Sequence, residues 1–115
     1  MTDVYWFSAM LKFRVEIEGG DSARYQRSVV LIRSSDFEAA FARALERGRE
    51  LESAYQNLND ETVRWSLERV ETIDQLEHEI TEGREVYSEP ADSIPPSSRF
   101  PQPDPKSFPP TQSGV

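Results

Sequence analysis

The longest regular pattern of apolar and polar positions runs from Trp6 to Glu18. Phe7, Ala9, Leu11, Phe13, Val15 and Ile17 fall on one side, and Ser8, Lys12, Arg14, Glu16 and Glu18 on the other. A period of two is that of a half-buried β-strand. The segment is long for a strand, which predicts a place inside a sheet with a partner along each edge. Trp6 and Met10 interrupt its polar side. Gly19, Gly20, Asp21 and Ser22 are loop chemistry, and a second strand is predicted from about Tyr25 to Arg33. Its centre, Val29 to Ile32, is apolar on both sides, which suits a strand covered by a helix on one face and by a second subunit on the other. The two strands read as an antiparallel hairpin.

After Ser34 the period changes. Ser35 is the predicted N-cap, with Glu38 three positions on to complete a capping box. Phe37, Ala40, Phe41, Ala44, Leu45, Gly48, Leu51, Tyr55 and Leu58 then recur at helical spacing, predicting one amphipathic helix of about 20 residues. Ala40, Ala44 and Gly48 form a line of small residues for close packing on the first strand, and the charged face from Arg43 to Glu52 reads as solvated. Asn57 is the expected helix end. Glu61 to Val70 alternates again, with Val63, Trp65 and Leu67 on one face, and reads as a third strand. Docked beside the first strand it makes the order 2-1-3. Ile73 to Ile80 fits a short helix or a loop, and Glu85 to Ser88 a short fourth strand.

The predicted fold is therefore α+β: an antiparallel sheet of three to four strands in the order β-β-α-β, with an optional further strand and one long helix packed on one face. All eight prolines lie at or after Pro90, which bounds a folded domain at residues 1–89 and predicts a Pro-rich disordered tail at 90–115. The face away from the helix is expected to carry Trp6, Met10, Val30 and Ile32, an apolar content that predicts a homodimer.

Composition narrows the chemistry. The chain has no cysteine, which excludes a disulfide framework, a thiolate zinc site and a cysteine nucleophile. Its formal net charge of -8 argues against direct nucleic-acid binding. No apolar run reaches membrane-spanning length and no signal-peptide pattern opens the chain, so no membrane association and a cytoplasmic location are expected. Gly19-Gly20 lacks the strand-to-helix context of a phosphate loop. His78, between Glu77 and Glu79, is expected to be solvated, with no metal and no cofactor.

Several residues together match a known family. Trp6-Phe7-Ser8-Ala9-Met10-Leu11, Tyr55-Gln56-Asn57 followed by Glu61-Thr62-Val63-Arg64-Trp65, and Glu85-Val86-Tyr87-Ser88 resemble domain of unknown function 4288, a family of small bacterial proteins, over residues 6 to 88. The chain departs from the family pattern at Asp60, where glycine is usual, and at Glu89, where a basic residue is usual. The resemblance implies a self-contained small domain and brings no catalytic residues.

Three candidate sites emerge. Trp6, Tyr55, Asn57, Glu61, Trp65 and Tyr87 form a candidate aromatic and amide rim for a small ligand, set against capping and core roles for the same residues. From Asp60 to Glu89 there are ten carboxylates against three arginines. Glu68, Glu71, Asp74, Glu77, Glu79 and Glu82 are the candidate acidic face for a basic protein, set against simple solubility. In the tail, Phe100 and Phe108 are candidate docking aromatics. No catalytic residues are identified. The expected function is a non-enzymatic protein-interaction module, an inhibitor or accessory subunit using the acidic face or the tail. A small-ligand-binding or enzymatic domain using the rim is the alternative.

Overall fold

The computed structural model describes residues 3–20 and 22–90. Asp21 and the predicted tail beyond Pro90, with Phe100 and Phe108, lie outside the described residues. The chain forms β1 (Tyr5–Ile17), β2 (Arg24–Ser34), α1 (Phe37–Glu50), β3 (Ser53–Gln56) and β4 (Thr62–Gln75). The strands make one antiparallel sheet in the order β2-β1-β4-β3. The predicted α+β class, the central position of the first strand and its neighbours on either side are all present. The fourth strand is β3, between the helix and β4. The predicted strand at Glu85 to Ser88 is irregular chain instead.

β1 behaves as its alternation requires. Phe7, Ala9, Leu11 and Phe13 are buried and pack with Ile32, Ala40 and Ala44 into the core. α1 lies on this face, capped by Asp36 rather than Ser35. Asp36 takes the extended backbone of an N-cap, and its Oδ1 accepts from the Ala39 backbone N–H at 2.7 Å. Gly48 is buried, but the surface it approaches is β4 and not β1. A Cβ at this position would stand 2.6 Å from Leu67 Cδ2 and 2.8 Å from Cδ1.

The helix stops at Glu50, well short of the predicted Leu58. Leu51 closes it, and Ser53 to Gln56 pair with Trp65 to Thr62 as a strand. Tyr55 and Leu58 sit at helical spacing from Leu51, but the spacing is fortuitous. Leu58 is fully exposed at a turn, and backbone pairing with β4 stabilises this stretch instead.

β4 runs five residues past the predicted end at Val70. Two register shifts against β1, at Met10/Leu11 and at Lys12/Phe13, leave Glu71 and Glu68 as extra residues in the ladder. These are β-bulges, each of which inserts one residue into one strand. They stretch the spacing of inward residues from two (Val63, Trp65, Leu67) to three (Val70, Ile73), which imitates a helical period in a segment that stays extended. The N–H of Leu67, beside one bulge, donates to Glu52 Oε2 at 2.8 Å, so Glu52 belongs to the sheet rather than to a solvated helix face.

Register also corrects the predicted content of the second face. Val30 and Ile32 stand opposite Ala9 and Phe7, and therefore lie beneath the helix. Val29 and Leu31 stand opposite Met10 and Ser8, on the other side. β2 is apolar at both parities, so its own sequence leaves the choice open, and pairing with β1 makes it.

Candidate functional site

The far face of the sheet is not bare. Ser8 and Met10 are buried there, because the chain after β4 folds back across it. Arg84, Val86, Tyr87 and Ser88 line a cavity of about 230 Å³ with Asp74, Gln75 and Leu76. Burial, and then its hydrogen bond to Glu89 at 3.2 Å, pushes the Tyr87 phenol above the ordinary tyrosine value, and Arg27 and Glu71 also act on it. Tyr87 of this returning segment thus lies within electrostatic reach of Arg27 of β2 and Glu71 of β4. Glu89 adds negative charge near Arg27.

Half of the predicted acidic face is paired within the domain. The bulged residue Glu68 pairs with Lys12 at 3.2 Å, and the bulged residue Glu71 takes the Arg27 Nε at 2.6 Å. The Arg27 hydrogen bond holds the Glu71 carboxyl below the usual carboxylate range. Register explains the need for these acids, because Arg27, Lys12 and Arg69 stand side by side across three strands and like charges opposite each other repel. Asp74 lines the cavity under the returning segment, and Glu77 lies 3.9 Å from Arg84. Of the predicted acidic face, Asp74, Glu79 and Glu82 are exposed and have no ion-pair partner among the described residues. His78 is exposed but engaged: it stacks on Tyr5 with ring centroids 4.2 Å apart, and its Nδ1 donates to the Val4 carbonyl at 2.9 Å.

The predicted rim divides. Trp6 stands at one end of β1 on the face away from the helix, with the Arg33 guanidinium 5.7 Å from its ring centre. Tyr87 lies on that same face. Trp65 is on the helix side and packs against Phe13, ring centroids 6.0 Å apart. Tyr55, Asn57 and Glu61 do come together. They line a cavity of about 520 Å³ with Val63 of β4, Val15 and Ile17 of β1, Gly20 and Ser22 of the first turn, and Arg24 of β2.

Asn57 holds this end of the sheet as the organiser of a turn, not as a helix cap. Its Oδ1 accepts from the backbone N–H of Asn59 at 2.9 Å and of Glu61 at 3.0 Å, and its Nδ2 donates to Glu61 Oε1 at 3.2 Å. Asp60, within the turn, has φ 61°. Glycine takes that left-handed conformation without the strain a side chain meets there. The cavity exists because the helix is short. β1, with 13 residues, spans about 43 Å, whereas α1, with 14, spans about 21 Å. The helix covers Phe7 to Phe13 and leaves Val15 and Ile17 as an open apolar shelf beside Val63, which is itself buried. Arg24 and the shelf residues were missed from sequence, and the hairpin register that aligns Arg24 with Val15 was the available signal.

Among the described residues no group of three or more His, Asp or Glu is placed to hold a metal ion, and no helix is long and apolar enough to cross a membrane. The model of a family described as Domain of unknown function (DUF4288) matches residues 6–88. No curated protein and no solved structure matches the chain.

Proposed function

The chain belongs to the DUF4288 family, and we propose that its domain works by binding protein rather than by catalysis, with a second copy of itself as the first partner, joined along the outer edge of β2. The observation that carries this is the edge itself. β2 ends the sheet as an 11-residue strand with no neighbour on its outer side among the described residues, and Val29 and Leu31 remain 39% and 44% exposed beside it. Long apolar edges are templates for further pairing, and monomeric proteins blunt them.

A two-fold edge pairing keeps each residue opposite one of its own parity. Centred on Val29, it sets Tyr25 against Arg33 of the partner subunit and Arg27 against Leu31 of the partner subunit. Centred on Val30, it sets Arg27 against Arg33 of the partner subunit, which repels. The Val29 register is the favoured one. Face-to-face pairing is disfavoured, because the returning segment occupies that side. Glu68, Glu71 and Glu77 act within the domain, and Asp74, Glu79 and Glu82 are what they leave for a basic partner.

Sedimentation of the full chain at tens of micromolar is expected to give a dimer. Val29→Lys with Leu31→Lys, both at exposed positions, is expected to give a folded monomer. A monomeric parent, or an unchanged dimer in the double variant, would overturn the proposal.

A further inference from the structure

We propose that the shelf beyond the helix end is a binding site for a short apolar zwitterion of about dipeptide size, its carboxylate at Arg24 and its ammonium at Glu61. The cavity of about 520 Å³ lies within the usual range of small-ligand sites, about 300–1,000 Å³. Its floor is apolar, made by Val15, Ile17 and Val63, and Tyr55 supplies a half-exposed ring at its side. An apolar body resting there removes from water the one stretch of β1's inner face that the helix leaves open.

The charged groups stand at opposite ends of that floor. Arg24 begins β2 and Glu61 leads into β4, and these strands flank β1 on its two sides. Strands two places apart in a sheet are separated by roughly 10 Å. Arg24 stands level with Val15 and Trp65, four residues from Glu61, so the two backbones are roughly 16 Å apart on a diagonal. The Arg24 and Glu61 side chains, both lining the cavity, shorten that distance. A free amino acid, with its charges on one carbon, is too short to meet both groups. An apolar dipeptide, with its charges at the two ends and its side chains between, matches the order cation, apolar floor, anion. The site is also preorganised. Asn57 holds Glu61 through Oε1, which leaves the other carboxylate oxygen to accept from an ammonium, and the same amide fixes the turn beneath it. Preorganised polar groups around an apolar floor give orientation as well as affinity.

The test is NMR titration of the full-length chain with L-leucyl-L-phenylalanine, its N-acetyl form and its C-terminal amide. The zwitterion is expected to give saturable shifts at Tyr55 and Val63. The N-acetyl and amide forms are each expected to bind about fivefold more weakly, as for loss of one partly exposed ion pair. Arg24→Ala is expected to remove the penalty of the amide and Glu61→Gln the penalty of acetylation. Arg24 is exposed, so Arg24→Ala stays folded by circular dichroism, and it keeps the test decisive if Glu61→Gln disturbs the turn. Absence of saturable shifts at millimolar dipeptide, or equal binding of zwitterion and blocked forms, would overturn the proposal.

Discussion

The helix-bearing side of the sheet has two halves built from the same strands and finished differently. Under α1, Phe7, Ala9, Leu11 and Phe13 meet Ala40 and Ala44 and are sealed from water. Past Glu50 the chain leaves the helix, pairs as β3, and widens the sheet instead of covering it. Val15 is only partly buried there, Ile17 is 40% exposed, and Tyr55 stands half in water. One alternating strand thus supplies a core at one end and an accessible floor at the other. Periodicity says which side of a strand is apolar, and the length of the covering element says whether that side becomes core or site.

Large-to-small substitutions should separate the halves most. Leu11→Ala, in the sealed half, is expected to cost about 2–5 kcal/mol. Ile17→Ala, on the shelf, should cost about 1 kcal/mol or less, because much of that side chain already faces water. Denaturant unfolding of the two variants checks this, and equal losses would mean that the shelf is packed in solution.

The boundary between the halves is set by Gly48. Valine there would place two methyl groups against Leu67, whose branch already lies within contact of a single added carbon. Gly48→Val is expected to destabilise by about 2–3 kcal/mol through overpacking. Adding Leu67→Ala should recover part of that loss, a coupling that a double-mutant cycle measures directly. If the two substitutions prove additive, the close approach of helix and β4 is not the reason for glycine.

How much of this was legible in the sequence differs between the halves in the same way. The sealed half follows from residues that obey one period, so the inward set of β1 and the small-residue line of α1 could be read off. The open half depends on departures from period. Tyr55 and Leu58 continue a helical stripe that the backbone abandons at Leu51. Even in the sealed half β4 departs from period, because Glu68 and Glu71, opposite Met10 to Phe13, each add a residue to the ladder and give extended chain a helical spacing. Single-sequence patterns carry no mark of a bulge unless both strands are known, and β2, apolar at every central position, gives no parity of its own. The rim was half legible: Tyr55, Asn57 and Glu61 are close in sequence and meet in one turn, whereas Trp6 and Tyr87 meet them nowhere.

The turn that bounds the shelf supports two smaller tests. Asn57→Ala removes the acceptor of two backbone N–H groups and the donor to Glu61, and is expected to cost about 1 kcal/mol. Because the turn lies outside the sealed core, the loss should come with little change at Phe7 or Leu11 in hydrogen exchange. Asp60→Gly should act in the other direction. The residue sits at φ 61°, where a side chain is strained, and glycine is expected to stabilise by about 0.5 kcal/mol. A loss of stability on Asp60→Gly would show that the aspartate side chain holds the turn as well.

The smallest expected effect lies on the far face, at the bulged Glu71. Its carboxyl is held below the usual range chiefly by the Arg27 hydrogen bond, so the folded state binds a proton there less readily than the unfolded chain. That contribution is fully present above the ordinary carboxylate pKa and is lost as pH falls through the lower folded value. Glu71→Gln removes the titration, so the parent should lose more of its stability than the variant on acidification, with the two curves parallel above the ordinary carboxylate range. The pair is exposed enough for salt to screen it, and added salt should narrow the difference at neutral pH. If the difference instead persists unchanged in high salt, the bulge itself, and not the charge it presents to Arg27, is what Glu71 provides.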